Sequence, residues 1–146
     1  MSKHAAVPYE TTLTVRDTCL CLHVQRAARA LARRFDEALR PLALTNGQFS
    51  LLMSLNRPTP ASIGEIATLL AMDRTTLTAS LKPLSRRHLV ELTTDPKDRR
   101  VHLVKLTPPG RALLAQAIPT WQGTHAAVDA LITSPDRLRE QLRKLQ

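Results

Sequence analysis

The chain has 146 residues, enough for one domain with its own core, and 21 Lys and Arg against 12 Asp and Glu leave a formal charge of +9. At 43% hydrophobic it is globular rather than disordered, and an excess charge carried mostly by arginine points to a polyanionic partner. Tyr9, Phe35, Phe49 and Trp121 are its only aromatic residues, too few for the stacking platforms of single-strand binders, so duplex DNA is the expected polyanion.

No apolar run approaches the roughly 18 residues of a membrane span. The first residues lack the basic, apolar and small-residue pattern of a secretion leader, so the expected location is the cytoplasm. Cys19 and Cys21 lie two apart, pointing in different directions on a helix, which argues against a disulfide between them. Neither has partners at metal-ligand spacing, so neither a metal nor a cofactor is expected.

Residues 1 to about 14, with Pro8 in Thr-rich polar sequence, read as a flexible arm. From Asp17 to Leu39, Leu20, Val24, Ala27, Ala28, Leu31, Phe35 and Leu39 recur at spacings of three and four, which predicts a long amphipathic helix ended by Pro41. Thr45 with Gln48 forms a capping box before a short helix through Phe49, Leu52, Met53 and Leu55. A second box, Ser62 with Glu65, opens a helix carrying Ile63, Ile66, Ala67 and Leu70. Asp73 then caps another, whose inward stripe is Leu77, Leu81 and Leu84. Two short helices joined by a tight turn form a helix-turn-helix.

The period changes at Val90. Val90 and Leu92 alternate with Glu91 and Thr93, and Val101, Leu103 and Lys105 alternate with His102, Val104 and Leu106. Turn residues from Thr94 to Asp98 separate the two runs, which predicts a hairpin with a charged tip. Thr107 with Pro108 opens a helix through Leu113, Leu114, Ala117 and Ile118, expected to kink at Pro119 and to resume through Trp121, His125, Val128 and Ile132. Ser134-Pro135 begins a last amphipathic helix with Leu138, Leu142 and Leu145.

At the hairpin the pattern becomes specific. Asp95-Pro96-Lys97-Asp98-Arg99-Arg100, followed by Leu103, Leu106-Thr107 and Gly110-Arg111-Ala112-Leu113-Leu114, resembles the MarR family of bacterial transcriptional regulators. Leu44-Thr45 through Gln48-Phe49 and the run Asp73-Arg74-Thr75-Thr76-Leu77-Thr78 are similar to that family's second helix and recognition helix. The likeness covers about residues 17–146, with two departures. His88 stands where the family usually has glycine, at a helix stop that requires a left-handed backbone. Pro83 stands inside the recognition helix, where a bend is expected.

The resemblance implies a mainly α fold with a small β-hairpin wing: a winged helix-turn-helix lobe at 44–107 and dimerisation helices at 15–43 and 108–146. It implies a homodimeric, ligand-responsive repressor binding a pseudo-palindromic operator, not an enzyme. On the recognition helix, Arg74, Thr75, Thr76, Thr78 and Ala79 face outward when Leu77 and Leu81 face inward, with Lys82 on the same side toward phosphates. At the wing tip Asp98 would orient Arg100 into a narrow minor groove while Lys97 and Arg99 meet neighbouring phosphates. Arg86 and Arg87 read equally well as solvated helix-end charges. A small aromatic or phenolic effector would sit among Val24, Ala28, Phe49, Met53, Leu114 and Ile118. Trp121 and His125 are expected to pack across the dimer.

Cys21 occupies the place of the reactive cysteine in the peroxide-sensing branch of the family, which makes a redox-sensing repressor the alternative. That branch holds its thiolate with tyrosines, whereas the matching positions here are Gln25, Asn46 and Phe49, so Cys21 is read as a small, inert core residue.

Overall fold

The computed structural model describes residues 5–146. Its backbone contacts divide the chain into two compact units, Met1–Arg34 and Phe35–Gln146.

In the first unit, helix α1 spans Tyr9–Thr18 and α2 begins at Leu20, running on to Leu39. The expected arm is thus helical from Tyr9 onward; its residues 1–4 lie outside the described residues. Pro8 sits just before the first helical residue with φ −62°, a position where its missing N–H costs the helix nothing. The threonines that suggested an arm donate their hydroxyls back to the helix, Thr14 Oγ1 to the Glu10 carbonyl and Thr18 Oγ1 to that of Thr14. The single long helix expected from Asp17 is interrupted at Cys19, whose ψ of 106° is extended.

The second unit starts with the end of α2. A 3-10 turn, Arg40–Leu42, follows, and Ala43 takes a left-handed φ of 52°. Helix α3, Asn46–Ser54, carries the full Thr45/Gln48 capping box, and the Asp36 carboxylate accepts from both the backbone N (2.6 Å) and the side-chain amide (2.9 Å) of Asn46. Helix α4, Ile63–Leu69, is opened by the Ser62/Glu65 box and α5, Arg74–Arg86, by Asp73. Between them the chain turns through Ala71 at φ 52°. Helix α5 is unbroken through Pro83 and stops at His88, which adopts the left-handed φ of 57° that its place required.

The hairpin pairs β2, Val90–Thr94, with β3, His102–Leu106, in the register Val90 opposite Leu106 and Leu92 opposite Val104. A third strand was not foreseen. Ala61 and Ser62 form β1, antiparallel to β3, in the order β1-β3-β2. Two residues carry no detectable alternation, so only the pairing reveals them. Val90, Val104 and Leu106 face the core.

Helix α6 runs from Pro108 to Asp129 as one element, with Pro119 inside it and no break or resumption there, and α7 covers Pro135–Arg143. The core collects Leu39, Leu44 and Phe49 with Leu51, Leu52 and Leu55, then Ile66, Leu77, Leu81 and Leu84, the strand residues, and Leu114 and Ala117. The first three turns of α6 therefore pack as part of the lobe rather than outside its 107/108 edge.

Candidate nucleic-acid interface

Burial of Leu77, Leu81 and Leu84 fixes the rotation of α5 about its axis. Arg74, Thr75, Thr76, Thr78, Ala79 and Lys82 are all exposed in consequence. Thr76 has a second task that its spacing did not reveal: its hydroxyl donates to Asp73 Oδ2 at 2.6 Å while its backbone N donates to Oδ1 at 2.8 Å. The Thr76 hydroxyl hydrogen and, behind it, the Thr76 backbone N–H hold the Asp73 carboxyl below the usual carboxylate range. Of the three threonines on this face, Thr75 and Thr78 keep their hydroxyl donors free among the described residues, and Thr76 is left to accept.

The wing tip is built around two aspartates. Asp95 Oδ1 accepts from the Lys97 backbone N at 2.8 Å, and Asp98 accepts from the Arg100 backbone N at 3.1 Å. The Asp98 carboxylate also takes the Arg100 guanidinium in a fork, Nε to Oδ1 and Nη2 to Oδ2, both at 3.0 Å. That guanidinium, followed by the Arg100 backbone N–H, keeps the Asp98 carboxyl below its ordinary range. The Arg100 side chain is nonetheless 88% exposed, so one edge is held while the outer hydrogens face solvent. Lys97 and Arg99 flank it, both exposed.

A groove of about 270 Å³ joins these parts, lined by Ser62, Ile63, Gly64, Arg74, Thr78, Arg100, Val101 and His102. Arg74, Thr78 and Arg100 are expected here from their spacing, whereas Ser62, Ile63 and Gly64 are not, because their wall exists only through the pairing of β1 with β3. Of the ambiguous pair, Arg87 is structural. Its Nη1 donates to the Ala43 carbonyl at 2.6 Å and Nη2 to that of Leu42 at 3.5 Å, tying the end of α5 to the left-handed turn after α2. Arg86 is exposed.

Three of the six expected effector positions come together. Phe49, Met53 and Ile118, with Ser50 and Trp121, line a depression of about 300 Å³. Leu114 is instead a buried core residue, while Val24 (half-buried) and Ala28 (exposed) belong to the first unit. Trp121 packs within its own chain: it stacks on Phe49 with ring centroids 6.1 Å apart and on His125 at 4.7 Å. Arg139 closes this row, reaching His125 Nε2 at 3.1 Å and pairing with Asp129.

Cys21 is not a core residue in the single chain. Helix α2 buries only Leu39, so Cys21 is exposed, and Cys19 is half-buried. The Gln25 amide donates to Cys21 Sγ at 3.5 Å. A neutral amide lacks the positive charge that activates a thiol.

A family model described as MarR family matches residues 44–102, the segment holding α3, the helix-turn-helix and most of the wing. The HTH-type transcriptional repressor NicR of Pseudomonas putida is 41% identical over 76 residues, covering 52% of this chain and 48% of NicR. The chain spans about half the length of the curated relatives it matches. Solved structures match more completely. The M. tuberculosis transcriptional regulator MosR in complex with DNA is 38% identical, with 87% of this chain and 92% of that one covered at a TM-score of 0.81. A mutant MarR from E. coli complexed with operator DNA is 28% identical, with 91% and 97% covered and the same TM-score. The 38% identity to MosR over nearly the whole fold, together with a family match on the segment that forms the groove, makes this chain a member of the MarR family of winged-helix transcriptional regulators.

Proposed function

We propose that the chain is a sequence-specific, double-stranded DNA-binding repressor that reads a pseudo-palindromic operator as a homodimer in the cytoplasm and responds to a small aromatic or phenolic effector. The observation that carries the reading is the forked Asp98–Arg100 pair at the edge of the groove that also holds Arg74 and Thr78. A planar guanidinium fixed on one edge and free on the other suits insertion into a narrow, negative minor groove. The outward face of α5, with Arg74, Thr75, Thr78, Ala79 and Lys82, suits the major groove. Lys97 and Arg99 are spaced for the phosphates alongside. The DNA complexes of MosR and of the mutant MarR support this assignment.

Dimerisation is supported by apolar surface that the single chain leaves uncovered: Val15, Leu20 and Leu31 in the first unit, and Leu131, Leu138, Leu142 and Leu145 at the end of the second. A two-fold dimer presents two recognition helices, hence two half-sites. The effector reading rests on the depression beside the Phe49–Trp121 stack, where a flat apolar ring finds matching walls. A ligand acts there by binding one spacing of the two recognition helices better than another. Selection of bound duplexes from a random pool tests the reading. A recovered inverted repeat supports it, and recovery of no duplex at low salt removes it. Sedimentation of the free protein measures the dimer independently.

A further inference from the structure

We propose that Gly64 is a positioning residue for DNA recognition: its missing side chain lets the Arg74 guanidinium lie against the first turn of α4, inside the groove between recognition helix and wing. This role rests on the DNA-binding reading above.

Gly64 is not demanded by the backbone, since no glycine among the described residues has a positive φ. It lies in the first turn of α4, where alanine is the better helix former. Its use is therefore spatial. A β-carbon on Gly64 would lie 2.8 Å from Arg74 Nη2 and 3.3 Å from Cζ, and its nearest neighbours are all atoms of that one guanidinium. Gly110 differs in kind, because there the obstructing atom belongs to the backbone. At Gly64 the flexible end of one side chain would move and the fold would not.

The guanidinium is held there by space rather than by a partner. Among the described residues no carboxylate lies within ion-pair distance of Arg74, and Arg74 donates no side-chain hydrogen bond. The groove has no acidic residue in its wall, so Arg74 faces it with its charge unbalanced, while Arg100 is paired with Asp98 on one edge only. The acceptor that completes this arrangement is a DNA phosphate or base edge. By leaving room for the guanidinium, Gly64 directs Arg74 toward the wing side of the recognition helix, beside Arg100, rather than out along α5.

The test is a double-mutant cycle on the selected operator duplex, using wild type, Gly64→Ala, Arg74→Ala and the double variant, with thermal melting of each. Gly64→Ala is expected to weaken operator binding about tenfold. Its melting temperature should be equal to or above that of wild type. In the Arg74→Ala background the added Gly64→Ala should change nothing, because the group it displaces is gone. Full affinity in Gly64→Ala, or losses that multiply in the double variant, would overturn the role while leaving the DNA reading standing. A wild-type chain that binds no duplex overturns both.

Discussion

Gly110 sits so close to Leu89 that a β-carbon on it would lie 2.0 Å from the Leu89 carbonyl oxygen. The same carbonyl accepts from the Thr107 backbone N at 3.1 Å, and the Thr107 hydroxyl donates to the His88 carbonyl at 2.5 Å while accepting from the Gly110 N–H at 3.1 Å. The stop of the recognition helix and the start of α6 are thereby one joint. Because the obstructing atom is backbone already engaged in a hydrogen bond, it cannot step aside. Gly110→Ala should destabilise the protein by about 1–3 kcal/mol, the usual cost of overpacking. Thermal melting checks this, and a melting temperature unchanged from wild type would show that the joint gives.

Arg100→Ala should weaken operator binding several-fold and lower the salt slope of binding by about one, with the melting temperature unchanged. Arg87→Ala should do the reverse. Its guanidinium is spent on the Ala43 and Leu42 carbonyls, so the loss falls on stability while the salt slope stays. Titration of both variants against operator at several salt concentrations, beside their melting curves, separates the two arginines.

Asp36 links the end of α2 to the start of α3, and the Asn46 backbone N–H, then the Asn46 amide, depress its carboxyl below the ordinary value. A carboxyl depressed on folding contributes stability above its unfolded-state value and loses it as pH falls through the folded one, so the contribution is present at neutrality and fades only below about pH 4. Asp36→Ala should cost about 1 kcal/mol at pH 7, discounted for partial exposure. The gap between the melting temperatures of wild type and variant, measured from pH 7 down to pH 3, should narrow toward the acid end. A constant gap would mean that the charge is not what matters.

Cys21→Ser should leave operator binding under peroxide as it is in wild type, since Gln25 offers the thiol no positive charge. Operator release by peroxide in wild type that the serine variant abolishes would install the redox reading instead.

Much of the lobe was legible because its signals are local. The capping pairs Thr45/Gln48 and Ser62/Glu65, the cap at Asp73 and the left-handed stop at His88 all act within a few residues of themselves, and each stands where its spacing indicated. The Asp98–Arg100 fork, two residues apart, is equally local. The N-terminal segment misled for the same reason: Thr-rich sequence favours turns in isolation, yet here its hydroxyls back-bond within a helix.

What composition and spacing determined, then, is which segments beyond the N-terminal arm are helices, where the wing lies, and which residues of α5 and the tip carry charge outward. Tertiary structure alone decided that Ala61 and Ser62 would pair with β3 and wall the groove, that Arg87 would clamp Ala43 from 44 residues away, that Gly64 would make room for Arg74, and that Phe49 would stack on Trp121. These contacts join residues far apart in the chain, and no period or cap encodes them. They arise once burial of the leucine core has set the rotation and spacing of the helices, which is a property of the packed whole.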